Sequence, residues 1–122
     1  MSTLKVDTIQ DQAGGNASTP DEIYSGRAKA WLKMNGVGTV SIYSSYNVSS
    51  ITDIGTGEYR MNFTTAFSDA SYACVSSGSE SGVGGAARFI NGDGNTTSYA
   101  LLLTYNVTTK TDYNQSSWAI FR

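Results

Sequence analysis

Strict alternation of apolar and polar residues between glycine-bearing breaks is what most limits the folds open to this chain. In Glu58-Tyr59-Arg60-Met61-Asn62-Phe63 every second side chain is apolar, the period of a half-buried strand. That run belongs to a longer block, Lys29 to Ala66, holding three strand-like runs that each end in a turn signal. Asn35-Gly36 and Gly38 break the first, and Asp53 to Gly57 break the second. Across the chain, strands are expected at Lys29–Met34, Thr39–Val48, Glu58–Phe63, Tyr72–Ser77, Ala86–Asn91, Ser98–Val107 and Ser116–Phe121. This spacing predicts an all-β chain folded as a single β-sandwich, jelly-roll-like, with a short N-terminal strand and one short helix. Ala100-Leu101-Leu102-Leu103 is a continuous apolar stretch, so its strand is expected to be central. The expected core is aromatic: Trp31, Tyr46, Tyr59, Phe63, Tyr72, Phe89, Trp118 and Phe121.

The helix is expected where Thr19 can act as N-cap, with Pro20 at the first helical position and Glu22 placed to return a bond to the cap. Ser25-Gly26 ends it within a turn or two. Residues 1–17 form a separate unit, an N-terminal strand over Thr3–Ile9 and a linker at Asp11 to Ala17, ahead of a sandwich domain at 18–122. Leu4, Val6 and Ile9 offer too little apolar surface to dock alone. The segment is therefore expected to be held by other copies of the chain or by a carrier protein.

Composition narrows the chemistry. A chain of 122 residues makes one domain. Its net charge is −2 and no basic stripe is visible in the sequence, which argues against nucleic acid and anionic membrane surfaces as partners. No apolar run approaches a membrane span, and Met1 to Gln10 is too polar for a secretory signal. Histidine is absent, so Ser-His-Asp and Cys-His nucleophiles and the usual zinc sets fall away. The single cysteine, Cys74, sits in an alternating run without a cationic neighbour and reads as a structural thiol. The ten acids are scattered, Asp53, Asp69, Asp93 and Asp112 at turns, so no glycosidase pair is expected.

Two further patterns have plain explanations. Asn91-Gly92-Asp93-Gly94-Asn95 resembles the start of a calcium loop but lacks the later glycine and bidentate acid, leaving a hairpin turn. Asn-x-Ser/Thr triplets at Asn16, Asn47, Asn62, Asn95, Asn106 and Asn114 follow from a chain dense in those residues. No cofactor is expected.

The block from Lys29 carries a family resemblance. A Lys-Ala-Trp, an Asn-Gly-x-Gly-Thr-Val turn, a Tyr-Asn-Val-Ser-Ser-Ile-Thr-Asp and a Gly-Thr-Gly-x-Tyr strand follow in order, and the chain opens Met1-Ser2-Thr3-Leu4-Lys5-Val6-Asp7-Thr8-Ile9-Gln10. In this it resembles the short tail-fibre-like modules of tailed phages of marine bacteria, cyanophages above all. Met1 to Gln10 and Ser18 to Ala66 carry the likeness; Lys33-Met34 and Val37 stand where more polar residues are expected, and nothing after Ser76 matches. The resemblance implies a non-enzymatic virion protein made in the bacterial host cytoplasm, a homotrimeric adhesin that binds a host cell-surface glycan or protein. The alternative it leaves is a capsid or tail decoration protein without receptor recognition. Rigid amphipathic rings and turn amides suit such recognition, so Tyr43, Tyr99, Tyr113, Asn91, Asp93 and Asn95 are the candidate receptor contacts. The loops Gly78–Gly85 and Asn91–Thr97 are the expected contact regions. Leu4, Val6, Ile9 and Tyr24 are the candidate anchor or oligomer contacts, through which other virion proteins would be met.

Overall fold

The alternation seen in the sequence becomes nine strands in the computed structural model, which describes residues 1–79 and 87–122. They are β1 (Ala30–Asn35), β2 (Ser41–Tyr46), β3 (Val48–Gly55), β4 (Glu58–Phe63), β5 (Ala73–Ser79), β6 (Ala87–Asn91), β7 (Tyr99–Asn106), β8 (Thr109–Lys110) and β9 (Gln115–Phe121). One helix, α1 (Pro20–Gly26), precedes them. Two antiparallel sheets result, one in the order β2-β1-β9-β5, the other β3-β4-β7-β6 with β8 on β7. They pack as a β-sandwich, as the strand spacing predicts. Within the sheets, β1–β2, β3–β4 and β6–β7 pair as sequence neighbours.

The core lies between the sheets. Ala30, Leu32 and Met34 of β1 and Trp118 and Ile120 of β9 face Tyr59 and Met61 of β4 and Ala100 and Leu102 of β7, all essentially buried. An aromatic cluster packs against it: Phe63 and Phe67 meet edge-on with ring centroids 4.7 Å apart, and Tyr72 stands 5.2 Å from Phe67. Phe89, Tyr113 and Trp118 make a second cluster, with centroids 5.3 and 6.0 Å from the Phe89 ring. Strand β7 is central, as its apolar run requires, lying between β4 and β6.

Three expected core aromatics lie elsewhere. Trp31 and Tyr46 are exposed, and Phe121 is half-buried on the outward phase of β9. In β1 two phases compete: Ala30, Leu32 and Met34 on one side, Lys29, Trp31 and Lys33 on the other. Burying Trp31 would draw in two ammonium groups, a far larger penalty than leaving one ring half wet.

The run read as one strand over Thr39–Val48 is broken at Asn47, where the chain passes from the first sheet to the second. Asn47 has φ of 54°, in the left-handed region that asparagine tolerates. Its side-chain amide donates to the Lys29 and Thr65 carbonyls at 3.2 and 3.1 Å, and its side-chain oxygen accepts from the Thr65 N–H at 2.8 Å. The corner is thus built on a single side chain.

Helix α1 starts as its sequence dictates: Thr19 is the N-cap, with the reciprocal Glu22 capping box and Pro20 in the first turn. None of its residues is buried. The strand expected at Thr3–Ile9 is reduced to one bridge, Ile9 with Ser18, and its apolar side chains Leu4, Val6 and Ile9 are exposed. The glycine-rich loop expected over Gly78–Gly85 lies, from residue 80 on, outside the described residues.

Candidate binding face

The residues singled out as receptor contacts do not converge. Tyr113 is buried at 3% exposure, packed against Phe89, with its hydroxyl donating to the Tyr105 carbonyl at 3.0 Å. This corrects the expectation that it lies on a surface: the ring closes one end of the core. Asn91 and Asn95 bond to each other through both side-chain amides, and Asn95 Oδ1 also accepts from the Leu101 N–H. Those amides hold the turn closed: Asn91 Nδ2 donates to the Leu101 carbonyl, and both side-chain oxygens are engaged within the turn and its strand. A Cβ at Gly92 would come within 2.7 Å of the Leu101 Cδ2, so a side chain there would have to push that methyl aside. Of the three candidates in this turn, Asp93 alone is exposed.

Tyr99 is half-buried on the second sheet, its ring 4.9 Å below the Arg60 guanidinium. Tyr43 is exposed at the β2 edge, its hydroxyl donating to the Asn114 carbonyl. The candidate anchor residues, by contrast, do come together. Leu4, Val6, Ile9 and Tyr24 line one open groove of about 660 Å³ with Ile23 and Arg27, between the N-terminal segment and α1.

The outer face of the first sheet shows another arrangement. Strand pairing sets Tyr46 beside Trp31, Trp31 beside Ala119, and Ala119 beside Val75, giving one transverse row. The next row along reads Ser44, Lys33, Ser117 and Ser77 by the same register. Trp31 is 39% exposed and Tyr46 54%, although β1 is paired on both sides and β2, the edge strand, is paired to β1. Two shallow hollows share the Trp31 ring. One, of about 350 Å³, is lined by Trp31, Lys33, Val75, Ser77, Ser117 and Ala119. The other, of about 340 Å³, is lined by Arg27, Ala28, Lys29, Trp31 and Tyr46. A third, of about 370 Å³, continues past Tyr46 and Lys29 to Thr65 and Arg122.

The sequence order Arg27-Ala28-Lys29-Ala30-Trp31-Leu32-Lys33 explains the charge there. Extended backbone from the helix C-cap at Arg27 places alternate residues on one face, so cations flank the tryptophan. The Arg27 guanidinium and the Lys29 ammonium both lie over the Tyr24 ring, at 5.1 and 3.9 Å from its centroid. Desolvation, then the nearby Arg27 charge, lowers the Lys29 pKa. Arg122 is paired with Asp69. Among the described residues the ion pairs are that one and Lys110–Glu58, so neither uses Arg27, Lys29 or Lys33.

Elsewhere, polar groups serve the fold. Asp112 Oδ1 accepts from the Tyr59 hydroxyl at 2.5 Å and the Gly57 N–H at 2.6 Å, and burial first, then Asp112, raises the Tyr59 pKa. Cys74 faces Ile120 across the β5–β9 pair, and burial pushes its thiol up to about 11. The expected structural thiol is what the fold contains. The side chains of Asn47 and Asn62 are engaged in hydrogen bonds within the fold, which suits the plain explanation of those triplets.

No known family model matches the chain, and neither a curated protein nor a solved structure matches it.

Proposed function

We propose that the chain is a non-enzymatic attachment module of a tailed phage, a homotrimeric adhesin whose sandwich meets a host cell-surface glycan or protein. The virion setting and the threefold assembly follow from the likeness of Met1–Gln10 and Ser18–Ala66 to tail-fibre-like modules. The observation that carries the binding reading is the exposed Trp31–Tyr46 row on a strand-braced face. Rings held by paired strands give contact area at small entropic cost, and threefold display would turn weak contacts into avidity. The deciding assay is competition: purified protein added to host cells should slow adsorption of the parent phage. The double variant Trp31→Ala, Tyr46→Ala, with unchanged far-ultraviolet circular dichroism, should not compete.

A second reading, a capsid or tail decoration protein, is favoured by the groove of Leu4, Val6, Ile9 and Tyr24, whose apolar side chains are all exposed. Such a protein would bind phage particles and leave adsorption untouched.

A further inference from the structure

Four of the chain's eight lysines and arginines, Arg27, Lys29, Lys33 and Arg122, line the three hollows around Trp31 and Tyr46, in a chain whose net charge is −2. Among the described residues no acidic side chain lines any of the three. The one acid that meets these cations, Asp69, is taken up by Arg122. With Arg122 offset by Asp69, Arg27, Lys29 and Lys33 remain outside any ion pair among the described residues, and such a face on an acidic protein is complementary to an anion.

We propose that this face binds an anionic polysaccharide, its rings stacked on Trp31 and Tyr46 and its carboxylate or sulfate groups met by Lys33 on one side and Arg27 on the other. The proposal rests on the attachment reading above and names the ligand class of the same surface. Each part of it has a counterpart on the sheet. Trp31 and Tyr46 are direct cross-strand partners, so their rings form one apolar platform, with Cβ atoms roughly 5 Å apart. Lys33 lies two residues further along β1, roughly 7 Å away, close enough to reach a charge on the ring stacked over Trp31. Ser44, Ser117 and Ser77 share the Lys33 row and supply hydroxyls that donate and accept, as sugar hydroxyls require.

Competing occupants fit less well. A second copy would set cations against like cations across a twofold contact. A nucleic acid strand presents a phosphate at every step and needs a continuous basic track, whereas β1 offers a neutral residue, Asn35, at its next outward position and the Lys33 row offers only serines.

The test is calorimetric titration of the full chain with dextran, polygalacturonate, dextran sulfate and poly-deoxythymidine, at about 0.05 and about 0.5 M NaCl. Either charged polysaccharide should bind about tenfold or more tighter than dextran at low salt, with the gap narrowing at high salt. Lys33→Gln should weaken that binding about threefold or more, chiefly at low salt, and Trp31→Ala should remove it. Lys110→Gln, on the other sheet, should leave it unchanged. Binding to sulfate but not uronate polymers, or the reverse, identifies which anion is read and supports the proposal. Equal binding to dextran and the charged polymers, tighter binding to poly-deoxythymidine, or no polysaccharide binding at all would overturn it. If the protein blocks adsorption yet binds no polysaccharide, the ligand class fails and the attachment reading stands. If it binds anionic polysaccharide without blocking adsorption, attachment fails and the ligand class stands.

Discussion

Asn47 does three things that few residues could combine. It takes a φ of 54°, it donates to two carbonyls, and it accepts from the Thr65 N–H. Alanine there would keep the strained backbone and strand the carbonyls and the amide, for a loss of about 2–3 kcal/mol in urea unfolding. Asn47→Gly would relieve the strain and lose only the side-chain bonds, so it should fall between alanine and the native residue. An alanine variant as stable as the native chain would show that the corner is fixed by its neighbours instead. Cys74 and Tyr72 set a pH limit. Burial raises the Cys74 thiol to about 11 and the Tyr72 phenol to about 12, both above their ordinary values. Above pH 9 the unfolded chain therefore releases protons that the folded chain keeps, and stability falls with rising pH. The contribution is complete below pH 9 and is lost as pH rises toward 11 for the thiol and 12 for the phenol. Thermal unfolding between pH 8 and 11 should show the decline begin near pH 9, and Cys74→Ser should reduce it.

Strand β1 shows why some of this molecule was legible in its sequence and some was not. Period two identifies a strand but leaves its phase open, and the phase is what decides function here. Leu32 is 1% exposed and Trp31 39%, on opposite faces of the same strand. Leu32→Ala should therefore cost about 3 kcal/mol in urea unfolding, by leaving a cavity in the core. Trp31→Ala should cost about 1 kcal/mol or less, the value of a cross-strand ring contact. Equal losses would mean that the tryptophan is structural and the face is not a site. The signal for the phase was present in Lys29 and Lys33, whose charges cannot follow Trp31 inward. Read for ring size alone, the same strand points the wrong way. The helix cap, the central β7 strand and the Glu58–Phe63 alternation were legible because each is a local rule acting within a few residues. The Asn47 corner and the burial of Tyr113 depend on partners far along the chain, Lys29 and Thr65 for one and Phe89 for the other. Nothing local announces them.

At the scale of the whole molecule, a braced sandwich carries an N-terminal segment that it does not bury. Residues 1–17 are all exposed, and α1 buries none of its residues. The segment is held by one bridge, Ile9 with Ser18, and a few turn hydrogen bonds. For the attachment and decoration readings proposed above, the exposed Leu4, Val6, Ile9 and Tyr24 groove is where a second body would sit. Removing residues 1–17 should leave the unfolding midpoint of the sandwich within about 2 °C, since no core contact is lost. A large drop would mean that the segment belongs to the domain. The same deletion, followed by light scattering, separates the possible second bodies. A trimer that falls apart makes the segment the contact between copies. A trimer that survives places the contact in the sandwich and leaves the segment to hold the virion. A monomer before and after the deletion removes the threefold adhesin and favours a decoration protein that orders its N-terminus only on the particle.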